Sequence, residues 1–283
     1  MVERQRGLDL LSHAVLLLGV AVICFPLYLA LAASTHSAQD MAQMPSPLGL
    51  GDQAWTNFRS VLLVEGTGLN SQQPVWRMLW VSTVTALLVP VGKILISLLS
   101  AFAIVYFRVR FRKTVFWAIF VTLMLPVEVR IVPTYQVMAD LGLVNTYAGL
   151  TVPLMASATA TFLFRQFFLT IPDELVEAAR MDGASPLRFF WDVLLPLSRT
   201  CIAALFVIQF IYGWNQYLWP LLMSTREDMY PIVVGIRSLV AGADAQVQWN
   251  LVMVTALLAL LPPALVVLLM QKWFVKGLVD TEK

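Results

Sequence analysis

Long runs of uncharged residues limit what this chain can fold into more than any other feature. Residues 10–33 contain no Asp, Glu, Lys or Arg. A helix rises 1.5 Å per residue, so this run exceeds the hydrocarbon core of a bilayer, which is about 30 Å thick. A secretory signal has an apolar core of only about 7–15 residues, and the run is therefore predicted to be an uncleaved membrane anchor.

The composition agrees with a protein that lies mostly in lipid. Apolar residues make up 59% of the 283 residues, charged residues 13%, and the mean hydropathy is +0.77. Soluble domains have about 45–50% apolar and 25% charged residues, so an integral membrane protein is predicted. The net charge of +2 does not suggest a nucleic-acid partner. Cys24 and Cys201 lack a ligand-like spacing, and neither a disulfide nor a metal site is expected.

Five more apolar segments follow, and together they predict an all-α membrane protein with six transmembrane helices. Bends are expected at Pro90 and Gly92, and a break is expected near the Pro262-Pro263 pair. The predicted domains are an N-terminal span with its outer loop (1–77), a transmembrane domain (78–274) and a tail (275–283). The predicted spans are residues 10–33, 78–107, 114–125, 148–164, 202–223 and 251–270; residues 34–76 and 224–250 are predicted outer loops, and 125–147 a partly inserted segment.

Basic residues divide unevenly between the two sides that six crossings would create. One side holds both termini and the segments 108–113 and 170–200, and it carries thirteen Lys and Arg, against five on the other side. Cytoplasmic loops are enriched in Lys and Arg. Both termini and the segment 170–200 are therefore predicted to be cytoplasmic.

The segment 170–200 is predicted to form a helix-turn-helix outside the bilayer. Thr170 and Asp173 have the spacing of a capping box, with Pro172 in the first turn, and Gly183 is predicted to close the first helix. The apolar face of this helix is expected to contain Leu175, Ala178 and Ala179, and its polar face Asp173, Glu174, Glu177 and Arg180.

The second helix of the segment has its own start and stop signals. Ser185 is predicted to be the N-cap, with Pro186 at the first helical position and Pro196 near the end. Arg188 and Asp192 are spaced for an ion pair. Periodicity alone leaves an interfacial amphipathic loop equally open. The predicted apolar face consists of Leu187, Phe190, Trp191 and Leu194.

A longer signature decides between these interpretations. The letters EAA at 177–179 are followed after three residues by Gly183 and after nine more by VLLP at 193–196. This pattern resembles the EAA loop in the membrane subunits of ATP-binding-cassette importers. The resemblance implies that the first helix docks in a cleft of an ATPase subunit. The residues to which it assigns this coupling role are Glu177, Ala178, Ala179, Gly183 and Pro196.

The resemblance covers almost the whole chain and is to sugar-type importer permeases, most clearly at residues 123–137, 147–168, 211–222 and the tail. It implies a type I importer permease fold in the inner membrane of a bacterial cell. The implied partners are a second homologous permease subunit, two ATPase subunits and a periplasmic or extracellular solute-binding protein. ATP and Mg are expected on the ATPase subunits, and no cofactor is expected on this chain.

The resemblance implies sn-glycerol-3-phosphate as the solute, with glycerophosphodiesters as further candidates. A sugar or oligosaccharide is the alternative. Lys93 lies in an apolar run, and an intramembrane charge faces a cavity or a partner. One hypothesis is that it attracts the phosphate, and the other is that it pairs with a carboxylate or snorkels. Trp214, Asn215, Gln216 and Trp219 are candidates for the solute path, although helix packing explains them equally well.

The sequence offers no catalytic constellation, so an enzyme is not expected. It contains no GxxxxGK[ST] phosphate loop, and a nucleotide must then be bound by another subunit. A secondary transporter working alone would need inverted repeats or an acidic relay within the membrane. An intramembrane enzyme would need a nucleophile or metal ligands. Neither alternative class has its signature here.

Overall fold

The computed structural model describes residues 6–43, 47–63, 73–107, 110–124, 127–240 and 247–279. The regular structure within these ranges is helical throughout. The α-helices are α1 (Arg6–Ser34), α2 (Ala38–Met41), α3 (Ala54–Leu63), α4 (Val75–Tyr106), α5 (Arg112–Met124), α6 (Val127–Asp140), α7 (Tyr147–Thr151), α8 (Ala158–Leu169), α9 (Asp173–Met181), α10 (Pro186–Phe189), α11 (Leu195–Leu197), α12 (Arg199–Trp214), α13 (Leu218–Met223), α14 (Ile232–Val240) and α15 (Trp249–Val279).

Three of these helices are long and apolar enough to cross a bilayer alone. They contain the stretches Leu10–Ser34, Val75–Tyr106 and Trp249–Lys272. Two bent helix pairs raise the count among the described residues to as many as five. The predicted third span corresponds to α5, whose 13 residues give about 20 Å of helix, less than the core of a bilayer. The helices alone therefore do not reproduce the count of six.

The predicted fourth span is not one straight helix. α7 is followed by a 3₁₀ turn, Val152–Leu154, and α8 restarts at an angle of 50° to the preceding helix. Pro153 lies in this turn and has no N–H to donate, and Ser157 caps α8 by accepting from the Ala160 N–H at 3.3 Å. These two local signals explain why the helix breaks here.

The predicted fifth span is also interrupted, whereas the predicted sixth is not. α12 ends at Trp214 and α13 begins at Leu218, which leaves 215–217 outside regular helix. By contrast, α15 continues through both Pro262 and Pro263, so the break expected there is wrong. α4 likewise continues through Pro90.

The segments predicted as outer loops contain helices of their own. α2 and α3 lie within residues 34–76, and α14 lies within residues 224–250. Ser37 and Asp40 form a capping box at the start of α2, in which each side chain accepts from the other residue's backbone N–H. Hydrogen bonds from the Ser37 hydroxyl and the Ser37 N–H hold the pKa of the partly exposed Asp40 carboxyl below its ordinary value.

Contacts divide the chain into two units. The first comprises residues up to Arg77 together with Gly235–Leu260. Buried Asn57 organises it: its amide donates to the carbonyl oxygens of Ser34 at 2.9 Å and His36 at 2.8 Å, and its oxygen accepts from Asn250 at 3.3 Å. The boundaries predicted at residues 77 and 274 stay a prediction.

The second unit comprises Met78–Val234 and residues from 261 onward. Its described residues include the two apolar clusters that we call the loop-side cluster and the Trp219 cluster. The loop-side cluster contains Ile94, Leu98, Ala101, Phe102, Ala160, Phe164, Phe168, Phe189, Phe190, Leu194 and Leu205. The Trp219 cluster contains Val81, Val89, Ile131, Met138, Leu150, Leu154, Trp219 and Met223.

Candidate functional site

The turn at Gly183 has the geometry that the sequence predicts. Gly183 has a φ of +70°, which an L side chain rarely adopts. Its N–H donates to the Arg180 carbonyl at 3.0 Å, and the Ala184 N–H donates to the Ala179 carbonyl at 2.9 Å. These two bonds form a Schellman motif, which satisfies carbonyl groups at the end of α9. Glycine is required here by the backbone.

The start of the second helix is confirmed as well. The Ser185 side chain accepts from the Arg188 N–H at 3.3 Å, and Pro186 occupies the first turn of α10. The Arg188 guanidinium lies 3.2 Å from the Asp192 carboxylate. Both of these side chains are exposed, so their pairing contributes little to stability. It leaves a mixed charge on the outer surface of the segment.

The predicted capping box at the first helix is wrong. α9 begins at Asp173 with Pro172 before it, and no side chain caps it. Thr170 instead ends α8, and its hydroxyl donates to the Phe167 carbonyl at 2.7 Å. Since α8 extends to Leu169, five residues past the predicted end of the fourth span, Thr170 belongs to the preceding helix.

The buried face of α9 differs from the predicted one by about one position. Val176 and Ala179 are half-buried and pack on the loop-side cluster. Leu175 and Ala178 are exposed instead. Glu177 is also exposed. Of the three EAA residues, Glu177 and Ala178 are thus exposed on the surface of the described structure, while Ala179 packs the helix against the loop-side cluster.

The predicted apolar face of the second helix is correct at Phe190 and Leu194 and wrong at Leu187 and Trp191, and the helix contains a π-helical segment, Phe190–Leu194. A π-turn has one more residue than an α-turn, which shifts the face that later residues present. Phe189, Phe190 and Leu194 are buried. Leu187 and Trp191, which the α-helical spacing placed on the apolar face, are 62% and 60% exposed.

Pro196 lies close to the end of this helix, as predicted. The helix ends at Leu197, and α12 leaves at an angle of 70°. Buried Ser198 stands at the corner, where its hydroxyl donates to the Leu194 carbonyl at 2.7 Å. The segment is thus tied directly to the start of a membrane helix.

Aromatic rings beneath the segment form its seat. The Phe102 ring centroid lies 5.0 Å from that of Phe190, and the Tyr106 centroid lies 5.5 Å from that of Phe189. The Tyr106 hydroxyl donates to the Phe168 carbonyl at 3.2 Å. A cavity of about 480 Å³ beside α9 is lined in part by Tyr106 and Glu177. Helices α4, α8, α9 and α10 therefore meet in one seat.

Lys93 is only 6% exposed within the structure. Its ammonium group donates to the Gln209 side-chain oxygen at 2.7 Å and lies 4.3 Å from the centre of the Tyr212 ring. The partners are thus an amide and a ring on α12, which sequence reasoning did not identify. Their spacing of three residues on a helix was the available signal.

The other proposed path residues are distributed around the end of α12. Trp214 is buried and stacks on Phe210 with centroids 6.0 Å apart, Asn215 is exposed, and Gln216 is half-buried. Trp219 is buried and its indole N–H donates to the Gly149 carbonyl at 3.1 Å. This hydrogen bond and its burial favour helix packing over a place on the solute path as the role of Trp219.

Asn145 connects the segment before α7 to the segment after α13, and the sequence analysis missed it. Its φ is 57°, and its N–H donates to the Met223 carbonyl at 2.9 Å. Its side-chain oxygen accepts from the Thr225 and Arg226 N–H groups at 2.7 and 3.0 Å. Asparagine tolerates this left-handed backbone better than most residues, which is the signal that was available.

Comparison with known proteins agrees with this geometry. The family model of the binding-protein-dependent transport system inner membrane component matches residues 93–280. This chain belongs to that family. It is 58% identical over its full length to the sn-glycerol-3-phosphate transport system permease protein UgpE of Pectobacterium atrosepticum, with all of that protein covered. It is 56% identical to the protein of the same name from Brucella melitensis, again with both chains fully covered.

Solved structures show the fold. A chain in the crystal structure of a bacterial ABC transporter involved in the import of the acidic polysaccharide alginate matches with a TM-score of 0.80 and 20% identity, covering 97% of this chain and 99% of that one. A chain of the alginate ABC transporter in complex with its alginate pentasaccharide-bound periplasmic protein matches with a TM-score of 0.58. The chain is therefore a multi-pass membrane protein with an ABC importer permease fold.

Proposed function

We propose that this chain is a membrane subunit of an ATP-driven, binding-protein-dependent importer of sn-glycerol-3-phosphate. The observation that carries the proposal is the 58% identity over the full length of a permease protein of that transport system. The exposed EAA segment on its aromatic seat supplies the contact that an external ATPase would need. The chain itself is a transport subunit and not an enzyme.

The transported solute explains why ATP is needed. A phosphomonoester carries about −1.5 to −2 charges at pH 7. Moving it inward against an inside-negative potential costs about 2.3 kcal/mol per charge per 100 mV, hence roughly 4 kcal/mol before any concentration gradient. A second permease subunit, two ATPase subunits that hold ATP and Mg, and a solute-binding protein complete the proposed assembly. Both termini face the cytoplasm of a bacterial cell in this proposal.

The coupling segment acts as a rigid lever in this mechanism. α9 docks in the ATPase through Glu177 and Ala178, while Val176 and Ala179 hold it on the loop-side cluster. The Schellman turn at Gly183 fixes the angle to α10, and the 70° corner after Leu197 passes the displacement to α12. Closure of the ATPase pair then shifts the membrane helices between two states by at most the difference in binding free energy.

Glycine variants test the lever with a matched control. Gly183 and Gly142 have φ values of +70° and +68°, and nothing lies near the position of an added Cβ at either. Both also end a helix with the same pair of hydrogen bonds. Gly183→Ala and Gly142→Ala should therefore cost similar stability, about 1 kcal/mol each. Only Gly183→Ala is expected to lower uptake by the reconstituted importer.

Charge reversal at Glu177 is the direct test of docking. Glu177→Lys should abolish transport-coupled ATP hydrolysis, whereas Glu174→Lys, one turn earlier and also exposed, serves as control. Solute-stimulated ATPase activity and co-purification of the ATPase are measured with both variants. Full coupling in a stably inserted Glu177→Lys variant would contradict the proposed docking. If a sugar and not sn-glycerol-3-phosphate stimulated the ATPase activity, the proposed docking would still stand and the proposed substrate would be wrong.

Lys93, Trp214, Asn215 and Gln216 are proposed to lie along the solute path. Lys93 is the central member, because its contacts with an amide and a ring leave its positive charge unneutralised by either group. Lys93→Met should weaken uptake of the phosphorylated solute, and Lys93→Arg should preserve part of it. Normal uptake by a well-expressed Lys93→Met variant would remove Lys93 from the path.

A further inference from the structure

A cavity of about 500 Å³ lies between the end of α4, the start of α5 and the last turns of α8. It adjoins the cavity beside α9, with which it shares Val105 and Leu169, and Lys93 does not line it. Aromatic rings dominate its wall, and two basic side chains and one amide supply the polar groups. The lining residues used below are Lys113, Phe116, Trp117, Phe120, Phe162 and Arg165.

Arg165 has unfilled hydrogen-bonding capacity in this cavity. Its Nε atom is buried and has no hydrogen-bond partner among the residues that the structure describes. The guanidinium carbon lies 4.6 Å from the centre of the Phe116 ring. A cation–π contact offsets only part of the loss of water, and a buried donor without an acceptor is costly. Because Nε itself has almost no accessible surface, an acceptor in the cavity would pair with the terminal N–H groups of the Arg165 guanidinium.

The charge of the cavity is not balanced by its own walls. Lys113 is exposed at the first turn of α5, and none of the described residues that line the cavity is acidic. Within the described ranges, the ion pairs that the structure shows involve neither Lys113 nor Arg165. Two cations that line one cavity without a carboxylate among its described lining residues favour an anionic ligand.

The position and the walls of the cavity indicate which anion it holds. It lies at the ends of three helices, on the side where α8 leads into the coupling segment. The rings of Phe116, Phe120 and Phe162 extend from the basic groups along α5 and α8. A headgroup phosphate fits the two cations, and acyl chains fit the rings. Basic pockets between membrane helices bind anionic lipid headgroups in this way.

We infer that this cavity binds an anionic glycerophospholipid, with its phosphate at Arg165 and Lys113 and an acyl chain along the aromatic wall. A free phosphate or sn-glycerol-3-phosphate would use only the cations and would leave the apolar wall without a partner. The lipid would fasten α5 to α8 immediately before the coupling segment.

The test uses the assembled importer in nanodiscs that contain either phosphatidylglycerol or phosphatidylcholine. Retained lipid is counted by native mass spectrometry for the unmodified complex and for the double variant Lys113→Gln/Arg165→Gln. The matched control is Lys272→Gln/Arg199→Gln, which removes one Lys and one Arg from exposed positions that do not line the cavity. Arg165→Lys tests whether charge alone restores binding.

Phosphatidylglycerol affinity should fall about fivefold for each basic group removed, and phosphatidylcholine retention should not change. The control should behave like the unmodified complex, and Arg165→Lys should recover most of the binding. Equal loss of both lipids, or equal phosphatidylglycerol retention in the cavity and control variants, would overturn the inference. Displacement of the lipid by millimolar inorganic phosphate would assign the site to a free anion instead. A segment of a partner subunit filling the cavity would also overturn it.

Discussion

The two apolar clusters of the second unit are held together in different ways. In the loop-side cluster, Phe102, Phe189 and Phe190 and the adjoining Tyr106 meet through tilted and edge-on ring contacts, and the Tyr106 hydroxyl adds one hydrogen bond to the Phe168 carbonyl at 3.2 Å. In the Trp219 cluster, an indole N–H is fixed to a backbone carbonyl at 3.1 Å. Hydrogen bonds weaken steeply with misalignment, whereas ring pairs accept a range of offsets. The first cluster is therefore held mainly by ring packing, and the second also by an oriented hydrogen bond from a buried indole.

Both clusters nevertheless adjoin the same type of helix end. α6 ends at Gly142 and α9 ends at Gly183, each with the two hydrogen bonds of a Schellman motif. The local turn is therefore the same, and the difference lies in what surrounds it. Next to Gly142 the chain enters the segment that Asn145 ties to Met223, Thr225 and Arg226, whereas next to Gly183 it remains mostly exposed. The surrounding tertiary contacts therefore separate a fixed turn from an accessible one.

Removal of the Phe168 ring should be the most damaging change to the loop-side cluster. Phe168 is 1% exposed, and Phe168→Ala leaves a cavity that its neighbours fill only in part. The expected loss in the free energy of unfolding is roughly 3 kcal/mol. This is the lower end of the range for Phe→Ala, because in the unfolded protein the Phe168 ring would contact lipid and not water. Chemical denaturation in micelles measures it. Phe167→Ala, at a half-buried ring, is the control, and an equal loss there would contradict the assignment.

Gly149→Ala should be the next most damaging change, this time in the Trp219 cluster. An added Cβ would overlap the Leu143 carbonyl oxygen and the Met223 side chain. Overpacking of this kind costs about 1–3 kcal/mol. Gly213→Ala is the matched control, because its Cβ would lie 3.4 Å from Ala86 in ordinary contact. The midpoints of thermal unfolding are compared for the two variants. An unchanged midpoint for Gly149→Ala would show that the neighbouring residues move to accommodate the added methyl group.

Trp219→Phe should have a smaller effect, because it keeps most of the ring and removes one hydrogen bond. The Gly149 carbonyl then loses the indole donor, at a cost of about 1–2 kcal/mol. Trp214→Phe is the control, since Trp214 packs against Phe210 through its rings. Denaturation curves give the difference between the two variants. If they lose equal stability, packing and not hydrogen bonding fixes the Trp219 cluster.

The smallest effect is expected at Asp40, outside both clusters and outside the membrane spans. Hydrogen bonds from the Ser37 hydroxyl and N–H lower the pKa of the Asp40 carboxyl. The stabilisation is present above the carboxyl's ordinary pKa and is lost as the pH falls through the lowered folded-state value. Hydrogen exchange of residues 34–43 should therefore accelerate in acid beyond its intrinsic pH dependence. Asp40→Asn should remove that extra acceleration, and its persistence would assign it to another group.

Local signals were predicted best. Gly183, Ser185 and Pro186, and the Arg188–Asp192 pair have the predicted roles, because each depends on residues within four positions in the chain. The apolar faces of α9 and of the second helix were predicted only in part, and the π-helical segment was not predicted, since strict 3.6-residue periodicity cannot show which neighbours compete for a face. Thr170 was assigned to the wrong helix because a threonine hydroxyl can cap a following helix or end a preceding one, and the sequence does not show which.

The sequence by itself determined that this chain lies in a membrane, that it has an exposed helix-turn-helix before α12, and which residues form its turns. Hydrophobicity and capping act over a few neighbouring residues, so they can be recognised from the sequence. Only the tertiary structure decided which rings seat the segment and that Lys93 meets Gln209 and Tyr212 more than a hundred positions away. Those outcomes depend on side-chain packing between distant helices, which no single stretch of sequence specifies.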